Sequence, residues 1–142
     1  MKKVWCFLLV SLLLVVSFGA MSCTPGATDT SEKTVKTYLS NYEKLDPGLA
    51  NLFIKEKRTE YKAHFEHISQ HFSFKIKDLE IEVLSQTENS AMVQARYTSV
   101  VTRKDKSEIK SFRIVEQFEL IKQNGQWLIA EETGISCEEV LN

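Results

Sequence analysis

The chain has 142 residues, with 18 basic and 19 acidic side chains, 43% hydrophobic residues, and only 5 Gly and 2 Pro. This composition excludes a collagenous or low-complexity chain and argues against disorder, and the near-neutral charge gives no electrostatic sign of nucleic-acid binding. The length allows for one domain.

The first 22 residues have the pattern of a secretory signal peptide. The basic start Met1-Lys2-Lys3 precedes an apolar run at residues 4–18, and small residues follow before Cys23. Three interpretations compete: cleavage by an ordinary signal peptidase before Cys23, retention as a transmembrane anchor, and lipid modification of Cys23. A retained anchor is disfavoured, because residues 4–22 are near the lower length limit for a membrane span and no basic cluster follows them.

The motif Ala20-Met21-Ser22-Cys23 resembles the lipobox of bacterial lipoprotein signal peptides, with Ala20 where Leu is usual. The resemblance implies that Cys23 receives a diacylglycerol and becomes the new N-terminus. Residues 1–22 are then a lipoprotein signal peptide, residues 23–28 the lipidated Cys and a short linker, and residues 29–142 a single domain. Because Thr24 rather than Asp follows the Cys, the resemblance also implies the outer membrane, facing the periplasm, in an organism with two membranes.

The cysteine count fits this interpretation. Cys6 leaves with the signal peptide and Cys23 is lipidated, so Cys137 has no partner for an internal disulfide. If Cys23 were not lipidated, a pair between Cys23 and Cys137 would become possible. Glu138 and Glu139 disfavour a thiolate at Cys137, and we expect this side chain to be inert.

Two amphipathic helical stretches are predicted in the first half of the domain. Asp29, with Glu32 three residues later, is typical of a helix N-cap. An apolar stripe of about four turns follows, made of Val35, Tyr38, Leu39, Tyr42 and Leu45. The Asp46-Pro47-Gly48 sequence ends this helix. A second helical stretch is predicted over residues 49–70, with a kink or a division into two helices near Glu56, where the apolar stripe changes face.

From Phe72 onwards the hydrophobic period drops to two, which predicts antiparallel strands. The strands are expected at residues 72–83, 91–102, 108–122 and 127–132. A phase slip at Lys77-Asp78 indicates a bulge or a break in the first strand. Asn124-Gly125 is typical of a type I′ hairpin turn before the last strand.

The turns also predict which residues lie opposite each other. The expected pairs are Val83 with Val93, Ile81 with Ala95, Val93 with Phe118, Tyr97 with Ile114, Ser99 with Phe112, Leu120 with Ile129, and Phe118 with Glu131. With these registers, one face of the sheet collects the apolar residues Leu79, Ile81, Val83, Ala91, Val93, Ala95, Tyr97, Phe112, Ile114, Phe118, Leu120, Trp127 and Ile129. A one-residue slip in any hairpin would destroy this agreement, and the other face is polar.

The chain resembles the nuclear transport factor 2-like superfamily in three features. These are the helix with its Asp46-Pro47-Gly48 break, the long strands, and the ending Asn124-Gly125-Gln126-Trp127-Leu128-Ile129. The resemblance implies an α+β fold, in which N-terminal helices pack on a curved antiparallel sheet of four to five strands and form a cone. More narrowly, the chain is similar to small bacterial lipoproteins with this fold. The superfamily includes ketosteroid isomerases, dehydratases, epoxide hydrolases and non-catalytic ligand-binding or dimerising domains, so it leaves function open.

The three histidines, His64, His67 and His71, lie along one side of the second helical stretch, with Glu60 before them. Imidazoles one turn apart can chelate zinc or copper. However, these positions flank the apolar stripe, and no Cys or second acidic cluster elsewhere completes a ligand set. We therefore expect no metal and no other cofactor.

A candidate binding or catalytic site follows from the predicted registers. Glu116 and Glu131 fall on the apolar face as diagonal neighbours on adjacent strands. Two close carboxylates in an apolar layer push one pKa upward, as a general acid/base pair or a polar ligand anchor requires. Tyr97 is expected to contribute its hydroxyl, and Arg58 a counter-charge. The alternative is that both carboxylates are hydrated, with Glu131 at a strand end and Glu116 at an open rim.

These observations favour a non-enzymatic lipoprotein of the bacterial cell envelope. Its lipid at Cys23 holds it to the membrane, and its domain binds a small apolar or amphipathic ligand or a partner. Two alternatives remain open. One is an isomerase, dehydratase or hydrolase that uses pocket carboxylates, and the other is a structural component that forms a homodimer through the polar sheet face.

Overall fold

The computed structural model of the protein describes residues 30–140. Its elements are helix α1 (Ser31–Tyr42), a 3-10 helix (Pro47–Leu52), helix α2 (Lys55–His71) and strands β1 (Phe72–Gln86), β2 (Ser90–Arg103), β3 (Glu108–Gln123) and β4 (Gln126–Glu139). The strands form one antiparallel sheet in the order β1-β2-β3-β4, and the helices pack on it. The predicted α+β class is therefore confirmed, with four strands.

The predicted signal peptide, the lipidation of Cys23 and the linker at residues 24–28 lie outside the described residues. Between residues 30 and 140, no helix combines the length and the apolar character needed to span a bilayer.

Helix α1 begins one residue later than its sequence suggests. Thr30 is the N-cap, and its hydroxyl accepts a hydrogen bond from the Lys33 N–H at 3.1 Å. The predicted cap at Asp29 is wrong, because Thr30 supplies an equivalent oxygen next to the first helical residue. The predicted stripe is buried except for Tyr42, which is partly buried. Its last member, Leu45, lies beyond the helix end in a left-handed conformation (φ 46°) that turns the chain.

The second helical stretch is divided, as the change of stripe indicated. The Asp46 carboxylate caps the 3-10 helix by accepting a hydrogen bond from the Gly48 N–H at 2.7 Å. The break lies at Phe53 and Ile54 rather than near Glu56. Its cause is tertiary: Phe53 forms a parallel bridge to Ile129, and the Ile54 N–H donates to the Ile129 carbonyl at 3.0 Å.

The predicted registers of the first two hairpins are confirmed. Val83 lies opposite Val93, and Tyr97 lies opposite Ile114. The predicted slip in β1 is also present, since the register shifts between Lys77 and Glu80 around Asp78, which has a φ of 54°. Val83 lies on the predicted apolar face, opposite the buried Val93, but it is 40% exposed because it lies near the end of an edge strand.

Strand β4 differs most from its prediction. It continues to Glu139 instead of ending at residue 132, and its register shifts twice, with Ala130 and Ile135 as the extra residues. Leu120 lies opposite Ile129 as predicted, but Phe118 lies opposite Glu132 and not Glu131. Each bulge moves the residues beyond it to the other face of the sheet.

The core lies between the helices and the inner face of this sheet. Its fully buried members include Tyr38 and Phe53 from the helical half and Phe118 and Ile129 from the sheet. Trp127 is 4% exposed, and its carbonyl accepts a hydrogen bond from the Thr34 hydroxyl at 3.3 Å, which ties β4 to α1.

Candidate functional site

Two adjoining cavities lie on the inner side of the sheet. The inner cavity has a volume of about 230 Å³ and lies between α1 and strands β1 to β4; most of its lining side chains are apolar or aromatic. The outer cavity, of about 380 Å³, lies between α2 and the middle of β3 and β4. Glu116 and Glu132 line both cavities, so the two carboxylates stand where the cavities meet.

The sheet register explains why these two side chains meet. Glu116 lies opposite Gly134, and Glu132 lies opposite Phe118, so the two glutamates are diagonal neighbours on the inner face. The bulge at Ala130 gives Glu132 its inward orientation. Gly134 leaves space beside Glu116, since a Cβ atom at position 134 would meet no atom within 4 Å.

Tyrosine hydroxyls hold both carboxylates. The Tyr97 hydroxyl donates to Oε2 of Glu116 at 2.7 Å, and the Tyr38 hydroxyl donates to Oε2 of Glu132 at 3.1 Å. Tyr61, on α2, lines the outer cavity together with Glu132. With Tyr42, which lines the inner cavity, all four tyrosines of the chain surround the carboxylate pair.

Burial dominates the electrostatics of the pair. Burial and, next, the negative charge of Glu116 raise the pKa of Glu132, while the hydroxyl groups of Tyr38 and Tyr61 lower it. Together these effects raise the pKa from 4.5 to about 7. Burial also raises the pKa of Glu116, and the hydrogen bond from Tyr97 opposes this shift. Near neutral pH, Glu132 therefore exists in both its charged and its neutral form.

The tyrosines remain donors at neutral pH. Burial raises the pKa of Tyr38, Tyr42 and Tyr97 above the ordinary value, and the nearby glutamate charges raise it further. Their hydroxyl groups consequently stay protonated.

Carboxylates outnumber basic side chains in the lining of the two cavities, where His64 is the one basic group among the described residues. Neither lysine nor arginine lines the inner or the outer cavity. The outer cavity instead adds a third carboxylate, Glu60, beside Tyr61 and His64. The site therefore combines hydroxyl donors, carboxylate acceptors and a negative potential.

The structure brings together two of the four residues predicted for this site. Tyr97 and Glu116 are hydrogen-bonded as neighbours on the inner face. Glu131 is wrong as the second carboxylate. The Ala130 bulge places it opposite Glu119 of the polar face, and its side chain is 49% exposed, with Oε2 at 2.9 Å from Nζ of Lys57.

Arg58 is also wrong as the counter-charge. Its Nε donates to the Phe53 carbonyl at 2.9 Å, which fixes it at the start of α2. Its side chain lines a separate surface cavity together with Pro47 and Lys62.

The histidine stripe separates into different surroundings. His64 lines the outer cavity, while the rings of His67 and His71 lie 5.2 Å apart on the exposed side of α2. Within residues 30–140, no group of three His, Cys, Asp or Glu side chains is arranged to hold a metal ion. Cys137 has a free thiol on the inner-cavity wall, opposite Ile114, and its inertness remains a prediction.

Sequence reasoning missed Glu132 and the polar role of Tyr38, Tyr42 and Tyr61. The adjacent pair Glu131-Glu132 does place one carboxylate on each face of a strand, so one of them had to point inward. Which one depends on a bulge that has no marker residue in the sequence. The tyrosines occupy helical positions typical of core residues, and the sequence does not show where their hydroxyl groups lead.

Comparisons with known proteins rest on structure alone. No family model matches the sequence, and no curated protein matches it either. A ketosteroid isomerase-like protein from Erwinia carotovora atroseptica has a TM-score of 0.68 and 19% identity, over 77% of this chain and 96% of that one. A putative scytalone dehydratase from Novosphingobium aromaticivorans has a TM-score of 0.58 and 18% identity, over 78% and 85%.

A nuclear transport factor 2-like superfamily protein from Salmonella enterica serovar Typhimurium is also similar, with a TM-score of 0.60 and 15% identity, over 74% of this chain and 88% of that one. At such identities the likeness concerns the fold and not the activity. The order of elements, the curved four-stranded sheet and these three matches agree, and the chain has the nuclear transport factor 2-like fold.

Proposed function

We propose that this protein is a lipid-anchored protein of the bacterial cell envelope whose domain binds a small amphipathic ligand without transforming it. The observation that carries the binding function is the buried pair of Glu116 and Glu132 at the junction of the two cavities. A ligand with an apolar body and a polar end matches this site, because the inner cavity is largely apolar and the carboxylates accept hydrogen bonds.

The hydroxyl groups support binding rather than catalysis. Tyr38 and Tyr97 donate to the carboxylates themselves, so their protons are engaged in holding the anchors in place. A general acid instead needs its proton within reach of the reacting atom.

The envelope location rests on the sequence of the first 23 residues. A short linker between Cys23 and α1 reaches at most about 25 Å when extended, which would keep the cavities close to the membrane surface. An amphipathic ligand that partitions between membrane and water is available there.

The test is native mass spectrometry of the full chain, isolated from cells and kept in lipid nanodiscs. We expect one small molecule to remain bound reproducibly. The test variant is Gly134→Val, in which the added side chain enters the space beside Glu116 without backbone strain. This variant should lose the bound molecule and keep the fold. A ligand-free wild type, or a ligand equally retained by Gly134→Val, would contradict the proposal. The same spectra measure whether the chain forms the homodimer that remains a prediction.

An acid/base enzyme is the second candidate, and one observation favours it. The pKa of Glu132 lies at about 7, so this carboxyl group can take up and release a proton at neutral pH. Incubation of the isolated ligand with wild type and with Glu132→Gln separates the two functions. A chemical change in the ligand that only wild type causes would establish the enzyme and refute simple binding.

A further inference from the structure

We infer that the ligand is a protonated organic amine whose ammonium group binds between Glu116 and Glu132 and whose apolar body lies in the inner cavity. This inference rests on the proposed ligand binding and names its chemical class.

The negative charge of the cavity lining disfavours anionic ligands. The cavities are lined by three carboxylates, Glu60, Glu116 and Glu132, and by neither lysine nor arginine. The Lys57 ammonium pairs with Glu131 on the exposed side of β4, and Lys57 does not line either cavity. A carboxylate or phosphate ligand would add negative charge to an already negative site, which like-charge repulsion opposes.

An ammonium group supplies the positive charge and the additional hydrogen-bond donors that the two buried carboxylates lack. Burial of an ionised carboxylate is costly unless an opposite charge and hydrogen bonds offset it. Each carboxylate has about four acceptor positions, and the bonds from Tyr97 to Glu116 and from Tyr38 to Glu132 leave some of them open. An alcohol would use these acceptors but bring no charge, whereas an ammonium forms the stronger, charge-assisted hydrogen bonds.

The remaining lining suits an organic cation rather than a metal ion. Tyr42 and Tyr97 line the inner cavity and Tyr61 the outer one, and aromatic side chains attract organic cations. Beyond the carboxylates, Phe74, Val101 and Ile114 give the inner cavity an apolar wall that would hold a hydrocarbon or aromatic body.

The experiment compares three probes of nearly the same shape: benzylamine, benzyl alcohol and benzoate. Binding to the full chain in phosphatidylcholine nanodiscs is measured by calorimetry, with empty nanodiscs subtracted. We expect benzylamine to bind at least tenfold more tightly than benzyl alcohol, and benzoate not to bind.

Two neighbouring glutamates provide a matched pair of variants. Glu132→Gln should weaken benzylamine binding at least tenfold and leave benzyl alcohol nearly unchanged. Glu131→Gln removes the same charge from the adjacent residue on the other face, and it should change benzylamine binding less than twofold. Far-ultraviolet circular dichroism of both variants verifies that the fold is kept.

The outcomes separate this inference from the proposed function. Equal binding of benzylamine and benzyl alcohol would overturn the amine inference and leave ligand binding in place. Equal loss in Glu131→Gln and Glu132→Gln would also overturn it, because the attraction would then come from surface charge. If none of the three probes binds, the amine inference is refuted, while the proposed function fails only if native mass spectrometry also finds no bound molecule.

Discussion

Glu132 is the residue on which the chemistry of the site depends, because its surroundings favour the uncharged carboxyl group. A carboxyl pKa that is raised in the folded state stabilises the fold at low pH, where both folded and unfolded chains are protonated. This contribution is lost as the pH rises from about 4.5 to about 7, since the unfolded chain releases its proton first.

The first prediction concerns this pH dependence. Relative to Glu132→Gln, the wild type should lose free energy of unfolding between pH 4.5 and 7, by at most about 1.4 kcal/mol per pH unit, and the difference should level off above pH 7. Urea unfolding of both proteins at a series of pH values measures it. A difference that stays constant with pH, or that favours the wild type at high pH, would show that Glu132 is not buried beside Glu116.

The second prediction concerns the hydroxyl that holds Glu132. The Tyr38 hydrogen bond stabilises the charged carboxylate, so its removal in Tyr38→Phe should raise the pKa of Glu132 further. Tyr42→Phe is the control, because Tyr42 lines the same cavity but, unlike Tyr38, does not donate a hydrogen bond to Glu132. Carbon-13 NMR titration of the carboxyl group measures both pKa values, and an unchanged or lowered value in Tyr38→Phe would refute the assignment.

At the scale of elements, strand β4 determines which side chains reach the cavities. Its inward residues are Trp127 and Ile129 before the first bulge and Glu132 and Gly134 between the two bulges. The first part packs against the helices, and the second part faces the cavities. The bulges thus separate a stretch that builds the core from a stretch that builds the site.

The third prediction tests the core stretch of β4. Trp127 is buried between the last hairpin and α1, so Trp127→Ala should lower the free energy of unfolding by about 3–5 kcal/mol, out of the roughly 5–15 kcal/mol typical of a domain. Ile135 belongs to the same strand but is 52% exposed, and Ile135→Ala should cost within about 0.5 kcal/mol. Denaturant unfolding compares the two, and similar midpoints would show that Trp127 does not anchor the sheet.

At the scale of the whole molecule, the proposed lipid anchor and the folded domain belong to different parts of the sequence. The fourth prediction is that Cys23 is acylated, because a basic start, an apolar run and small residues precede it. Mass spectrometry of the mature N-terminal peptide should show a lipid on Cys23. Replacement of Cys23 by Ala is the control, which should retain the uncleaved N-terminus. An unmodified Cys23, or a wild-type peptide that still contains Leu12, would contradict the lipoprotein assignment.

The sequence by itself determined the class and the layout of this fold. Hydrophobic periods of 3.6 and 2 located the helices and the strands, and turn chemistry at Asn124-Gly125 fixed the pairing of Leu120 with Ile129. Strand registers can be predicted from the sequence because a slip of one residue would expose a whole apolar face. Tyr97 and Glu116 could be placed together on this basis, since they lie on strands with a continuous register.

Only the tertiary structure decided the composition of the site. Because of the bulge at Ala130, Glu132 rather than Glu131 lies on the inner face of the sheet. The position of a bulge depends on how the strand bends around the helices rather than on the residue that it inserts. Tyr38 and Tyr61 come from helices whose apolar stripes predict burial but not the partners of a hydroxyl group. Those partners follow from how the helices pack on the sheet, so the carboxylate pair and the tyrosines around it exist as a site only in the folded chain.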